Sequence, residues 1–467
     1  MLKSAVGLLA LAALPAMAQA PRVAVDPRVE LLSIVFRLAG NSEYNQGRVP
    51  AYNAAIDKWF APFREHEAVQ TARQFRDRYG AGYDAPMGLA VNLKDLRTLA
   101  ERIPVDSEAS RLDRRWHGAE VRPFLEALRK FAADSKFQEF FDSRKDLYEC
   151  ATANLKALVE KEADFGWFEK FFGTRPGARF TVVPALVNGP ANYGPGIRAE
   201  DGVDENYAII GVWDVDAAGM PSFKKDVVGT IVHETVHSYA NPLVDKAAAG
   251  IPDGGAAILG PVRNAMRRQA YDSGLTVMRE SLVRACSARY ALAHGGEAAA
   301  RSAIQAERRS SFLWTGELYD LLGEYEKDRA KYPTLEAFLP QLAAFFNRLG
   351  PRVQGMVDEF EAARPKVASI APANGTLDVD PATAEIVIRF DRPMRKGNWQ
   401  VMQTNAALFP KVLRVAYDET VTVLTMTVKL EPAHDYEFAL NAASGGAFQS
   451  AEGVPLAAVR VRFRTRE

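Results

Sequence analysis

Cysteine is scarce, with only Cys150 and Cys286 in 467 residues. That excludes a small disulfide-stapled scaffold and any cysteine-rich zinc ribbon, so a bound metal has to be held by histidine and carboxylate. Histidine is itself rare, at six residues. Excess charge of either sign is missing too: 58 Lys and Arg stand against 58 Asp and Glu. A chain without net charge lacks the long-range field that gathers a phosphate backbone, which argues against a dedicated nucleic-acid binder. No internal similarity recurs at a fixed period, which excludes a solenoid. What remains is ordinary globular composition, 48% hydrophobic and 25% charged, and a length that suits two or three domains.

The first twenty residues read as a secretory leader rather than as part of a fold. Lys3 precedes an apolar run from Ala5 to Leu14, and small residues follow. The run is too short to cross a bilayer as a stable helix, and no other stretch reaches about 18 apolar residues. Cleavage is expected after Ala18, with Ala20 as the competing site, so residues 1–18 form the signal peptide. The mature chain is expected to be exported, periplasmic or secreted, with no integral membrane segment.

Along the mature chain the hydrophobic period changes once. From Asp26 to about Pro365 it is mainly helical: Leu31, Leu32, Val35, Phe36 and Leu38 lie at helical spacing, and Gly40 follows as a stop. Aromatics from Phe124 to Phe172 recur at helical spacing and are expected in the core. Residues 180–187 and 206–216 are β-rich, separated by the turn residues Asn188 to Gly196, and predict a small sheet within the helical part. Residues 265–293 read as one helix. After Pro365 the period becomes two, with Ile386, Ile388 and Phe390 on one face and Leu424, Met426, Val428 and Leu430 on another. Several such segments over 367–467 predict an antiparallel sandwich. The fold class is α+β, with domains at 26–365 and 367–467.

The chemistry is carried by His233-Glu234-Thr235-Val236-His237. Two histidines four apart lie one above the other on a helix, so both imidazoles can reach one ion, and Glu234 can face a water on it. With histidine this rare, the pattern arises by accident in roughly 0.5% of such chains, so composition alone does not explain it. A catalytic zinc takes a third protein ligand and leaves one position for water. Glu280 is the best candidate, because it lies amid Val277, Leu282 and Val283, where an unpaired carboxylate is costly; Asp272 and His294 are the alternatives. Arg284, four residues on, can hold the Glu280 carboxylate, and Asn241 can hold the outer nitrogen of His237 or cap the helix before Pro242. Tyr271 and Tyr290 are candidate oxyanion donors. Asn192 and Tyr193 lie in a segment that either lines the cleft as an edge strand or forms a plain glycine turn. Cys150 and Cys286 either pair with each other, in a bridge that would brace the helix of Glu280, or remain two buried thiols.

The metal motif with its uncharged neighbours resembles the longer pattern of zinc metallopeptidase helices. The metzincin continuation is missing, since Ala240 and Leu243 stand where glycine and a third histidine belong. Glu280-Ser281-Leu282-Val283-Arg284-Ala285 instead resembles the stretch that supplies the third ligand in gluzincin-like families. Together with residues 29–39, 83–90 and 233–245, it is similar to an uncharacterised bacterial family of exported proteins. The segments at 367–394 and 461–467 resemble bacterial Ig-like domains. These resemblances imply an exported, zincin-like metallopeptidase with Zn2+ on His233, His237 and Glu280, Glu234 as general base, a peptide or protein substrate, and an appended Ig-like module. Two rival readings remain: a non-catalytic binding or adhesion protein with an Ig-like arm, and a zinc hydrolase of non-peptide, cell-wall amides.

Overall fold

The computed structural model describes residues 21–173, 178–442 and 446–467. The leader expected over residues 1–20, with both expected cleavage sites, lies outside the described residues. The chain mixes helix and strand and divides into two compact units. One runs to Ile251 and adds Met278–Gly296 and Tyr319–Ala344; the other comprises Pro252–Val277, Glu297–Leu318 and Phe345–Glu467. The change of hydrophobic period at 365–367 coincides with the passage from the last helix, which ends at Ala362, to the first strand of the C-terminal part, Val367–Ala371.

In the first unit, five strands form one sheet: β1 (Arg22–Val23), β2 (Arg179–Ala185), β3 (Asn192–Tyr193), β4 (Gly196–Arg198) and β5 (Asp204–Gly211). The order is β1-β2-β5-β3, with β4 also on β5. β1, β2 and β5 are parallel, while β3 and β4 run antiparallel to β5. Both faces are covered. Val182, Ala208 and Ile210 pack with Val227 and Ile231 of the helix Asp226–Ala248, and Val183, Ala185 and Ile209 join the core of the helix Pro27–Leu38. A sheet buried on both sides reads as continuous apolar runs rather than alternation, and residues 207–212 do so. A further ribbon joins β6 (Asp214–Val215) to β7 (Pro221–Ser222). Phe124, Phe131, Phe137, Phe140, Phe168, Phe171 and Phe172 are buried, as their spacing predicts.

The turn-like stretch 188–196 contains β3, a strand of only two residues. Asn192 Oδ1 accepts from the Gly211 amide at 3.0 Å and ties the segment to β5. Beyond it, the helix expected over 265–293 is interrupted. One helix ends at Arg267 and the next begins at Gly274, with Ser273 accepting from the Thr276 amide. Tyr271 and Asp272 therefore lie on no helix.

The second unit holds the helices Ala256–Arg267 and Val353–Ala362 and the predicted sandwich. Its strands are β8 (Val367–Ala371), β9 (Glu385–Phe390), β10 (Val401–Met402), β11 (Lys411–Tyr417), β12 (Val423–Lys429), β13 (Asp435–Leu440) and β14 (Val459–Arg464). They form sheets β11-β12-β9-β8 and β10-β13-β14 with antiparallel pairing throughout. The alternating residues Ile386, Ile388, Leu424, Met426, Phe438, Val461 and Phe463 fill the space between. Among the described residues, no helix is long and apolar enough to cross a membrane.

One buried polar group in the first unit stands out. Glu30, on the helix Pro27–Leu38, is fully buried; it accepts from the Leu186 amide at 2.8 Å and from the Tyr52 hydroxyl at 2.7 Å. Ser33, one turn on, donates to Asn188 Oδ1 at 3.0 Å. The first helix thus pins the end of β2 and the loop leading to β3. Burial pushes the Glu30 carboxyl up to about 7, against the opposing hydrogen bonds from Tyr52 and Leu186. A folded-state value above the unfolded one stabilises fully at low pH and is lost as pH rises through about 7. Glu30→Gln is accordingly expected to flatten the pH dependence: between pH ~5 and ~8 the wild type should lose about 2–3 kcal/mol more than the variant. Urea denaturation of both proteins at the two pH values checks this.

Candidate metal centre

The helix Asp226–Ala248 is apolar on nearly every turn, with Val227, Ile231, Val232, Val236, Tyr239 and Ala240 all buried. Tyr239 stacks on Phe172 at 4.6 Å between ring centres, and Thr235 donates to the Ile231 carbonyl at 2.7 Å. Packing along its length leaves this helix little freedom to rotate, and rotation sets where His233, Glu234 and His237 point. The two histidine Nε2 atoms face each other at 3.2 Å.

Glu280 arrives from the helix Gly274–Arg309, seated there by buried Met278, Leu282 and Val283. Its Oε1 lies 3.4 Å from His237 Nε2 and its Oε2 3.7 Å from His233 Nε2. Arg284 Nη2 stands 3.2 Å from Glu280 Oε2. Among the described residues these three form the one His/Cys/Asp/Glu group able to hold a metal ion, with all ligand atoms within 4.8 Å of one another.

The donor set fits zinc. Ligand atoms about 2.0–2.1 Å from a tetrahedral ion are roughly 3.3 Å apart, close to all three separations observed. Burial holds His233 down to about 3, so it stays neutral and keeps a lone pair. Asn241 Oδ1 lies 3.2 Å from His237 Nδ1. An amide oxygen only accepts, which puts the proton on Nδ1 and leaves the Nε2 lone pair facing His233 and Glu280. Asn241 is not a helix cap, because the helix runs through Pro242 to Ala248.

Glu234 lies beside the centre and is buried, 9% exposed. Loss of water pushes its carboxyl up to about 7; Glu280 and Asp84 add to the rise, and His237 and Arg284 oppose it. The segment after β3 closes over it. A Cβ on Gly194 would stand 2.7 Å from the Glu234 carbonyl oxygen and 3.0 Å from its Oε2, so only glycine lets the strand come this near. Asn192 and Tyr193 thus lie on an edge strand next to Glu234 rather than in a plain turn.

Other candidates fall elsewhere. Tyr290 is on the ligand helix, but ten residues beyond Glu280, which is about 15 Å along the axis. Its hydroxyl accepts from the Asp164 amide at 2.8 Å and its ring stacks on His294, so it packs rather than reacts. His294 in turn bonds the Tyr290 carbonyl and Asp164. Tyr271 belongs to the second unit, against Phe312. Asp272 is exposed. Cys150 and Cys286 are both free thiols, so no bridge braces the ligand helix. One residue that acts on Glu234 escaped the sequence reading, Asp84, at the start of the helix Asp84–Val91.

The chain thus has one unit that gathers His233, His237 and Glu280 and another that holds a β-sandwich. Residues 22–345 match the family model described as a domain of unknown function, DUF4932, and the chain belongs to that family. Residues 361–465 match the bacterial Ig-like domain. No curated protein matches the chain. Among solved structures it is similar to surface layer protein SbsC, domains 1–6, at 13% identity over 55% of this chain and 35% of that one, with a TM-score of 0.18. The N-terminal part of the bacterial S-layer protein SbsC gives 12% identity over 55% and 61%, with a TM-score of 0.17. The chain thus spans less than two thirds of either, and likeness at these TM-scores carries no structural argument.

The close approach at Gly194 is directly testable. Gly194→Ala is expected to cost about 1–3 kcal/mol through overpacking against Glu234. Gly88→Ala, in a helix with nothing within 4 Å of the added methyl, should be neutral or stabilising by comparison. Urea denaturation of the two variants gives the contrast, and equal stabilities would contradict the close contact.

Proposed function

We propose that this protein is an exported zinc-dependent metallopeptidase of gluzincin type, built on a zincin-like first unit. The observation that carries the reading is the convergence of His233 Nε2, His237 Nε2 and the Glu280 carboxylate, at 3.2–3.7 Å from one another, beside a buried glutamate. His233, His237 and Glu280 would hold the ion, and Arg284 and Asn241 orient the last two. Bound in this donor set, zinc supplies a Lewis acid and a water whose pKa falls towards about 7.

The remaining chemistry belongs to the chain. Glu234 accepts the proton of the attacking water and returns it to the nitrogen of the leaving amine. Its burial keeps bulk water from competing for that proton. β3 is at the edge of the sheet, and its free side offers backbone groups to an extended peptide. Gly194 keeps that strand close to Glu234, so a peptide laid along it presents its carbonyl carbon near the base.

Glu234→Gln keeps the shape of the side chain and removes its ability to take a proton. We expect it to lower the hydrolysis of an unfolded protein substrate at least ~100-fold while zinc stays bound. Activity and metal content measured on the same preparation test this, and full activity in the variant would refute the general-base role.

A further inference from the structure

β3 and β4 are two stretches of one edge strand. Their pairs with β5, Tyr193 with Ile209 and Gly196 with Asn206, keep a single antiparallel register across Gly194 and Pro195. Side chains along a strand alternate between its faces. Tyr193 and Ile197 join the core of the helix Pro27–Leu38, so Asn192, Gly194, Gly196 and Arg198 share the opposite face. On that face each glycine lets polar groups come right up to the backbone. At Gly194 the group is Glu234; at Gly196, two residues or about 6.6 Å further on, it is a different set.

A Cβ on Gly196 would stand 3.0 Å from Asn206 Oδ1 and 3.4 Å from Arg111 Nη1, so a carboxamide and a guanidinium converge there. Asn206 is 2% exposed, and among the described residues neither its Oδ1 nor its Nδ2 has a hydrogen-bond partner. Arg111 follows the turn Glu108–Ser110, which packs on β4. Asp204 accepts from its Nη2 at 2.7 Å and steadies the guanidinium, while Nη1 faces Gly196. Arg198, opposite Asp204 in the register, brings a second positive charge to this end of the strand. A buried amide with no partner is unfavourable, and a ligand that accepts from both the amide and the guanidinium relieves it. In a peptide, the group with that chemistry is a carboxylate.

We infer that Arg111 and Asn206 form a carboxylate subsite that selects which peptides the protein takes, about two residues along the strand from Glu234. This rests on the metallopeptidase reading above. A peptide paired with the free edge and cleaved beside Gly194 has its second residue on the leaving-amine side level with Gly196. If that residue ends the chain, its carboxylate meets Arg111 and the product is a C-terminal dipeptide. Water then adds across the amide: the acyl part keeps the hydroxyl, and the dipeptide nitrogen takes the proton. An Asp or Glu side chain at the same place offers the same chemistry from within a longer peptide.

The test uses mixed-sequence peptides of one length, made as free acids, as C-terminal amides and as amides carrying one glutamate. An equimolar mixture is passed over the immobilised, zinc-loaded full chain bearing Glu234→Gln, and mass spectrometry reads what is retained. We expect one carboxylate-bearing class to be enriched roughly 10-fold over plain amides, the worth of a charge-assisted hydrogen bond. Enriched free acids identify a chain end in the subsite, and enriched glutamate amides identify a side chain. Adding Arg111→Ala should bring the enrichment near parity at a similar thermal midpoint, whereas a structural role for Arg111 would lower all three classes alike. Equal retention of the three classes by the chain that keeps Arg111 overturns the subsite; if the wild type still cleaves the peptides, the metallopeptidase reading stands. Carboxylate-selective retention beside a zinc-loaded wild type that cleaves none of them overturns that reading instead and leaves a peptide-binding site.

Discussion

The packing of the helix Asp226–Ala248 on β5 is the constraint from which the rest of the first unit follows. Val227 and Ile231 lie against Val182, Ala208 and Ile210, and further along the helix Tyr239 stacks on Phe172 and on Phe180 of β2. A helix clamped in this way cannot rotate, so the directions of His233, Glu234 and His237 are set by apolar contacts that never touch a ligand. This division of labour is physically sensible. Dispersion and hydrophobic burial fix position, and a few polar groups do the chemistry.

Polar support is arranged around that frame in layers. Asn241 sets the tautomer of His237, and Arg284 faces the Glu280 carboxylate. Further out, Glu30 and Ser33 hold residues 186–188, from which the chain proceeds to β3 and Gly194. Each of these groups is buried or nearly so, where an unmade hydrogen bond is expensive. The loop next to Glu234 is therefore held as firmly as a regular element, although only two of its residues form a strand.

Much of this was legible in the sequence, and what was not has identifiable causes. The four-residue spacing of His233 and His237 speaks directly of one helix face. Glu280 was findable because a lone carboxylate among Val277, Leu282 and Val283 has to answer for its burial. The period-two segments after residue 366 gave away the sandwich. Asn241 was ambiguous, since Pro242 usually marks a helix end; here the apolar burial of Leu243, Val244 and Ala247 carries the helix past it. Tyr290 sits on the expected helix, but a residue's phase along a helix says nothing of the Asp164 amide waiting for its hydroxyl. The backbone conformation of Tyr83, φ 55° and ψ −114°, was hidden most thoroughly. It is imposed by Glu43, Tyr44 and Arg76, and no local propensity predicts a tyrosine at positive φ.

The central claim is that three side chains share one divalent cation. Metal analysis of the purified wild-type chain beside Glu280→Ala tests it most directly. The account predicts one zinc per wild-type chain and a marked loss of stoichiometric zinc in the variant. A wild-type chain with no zinc, or a variant that keeps a full equivalent, would contradict it.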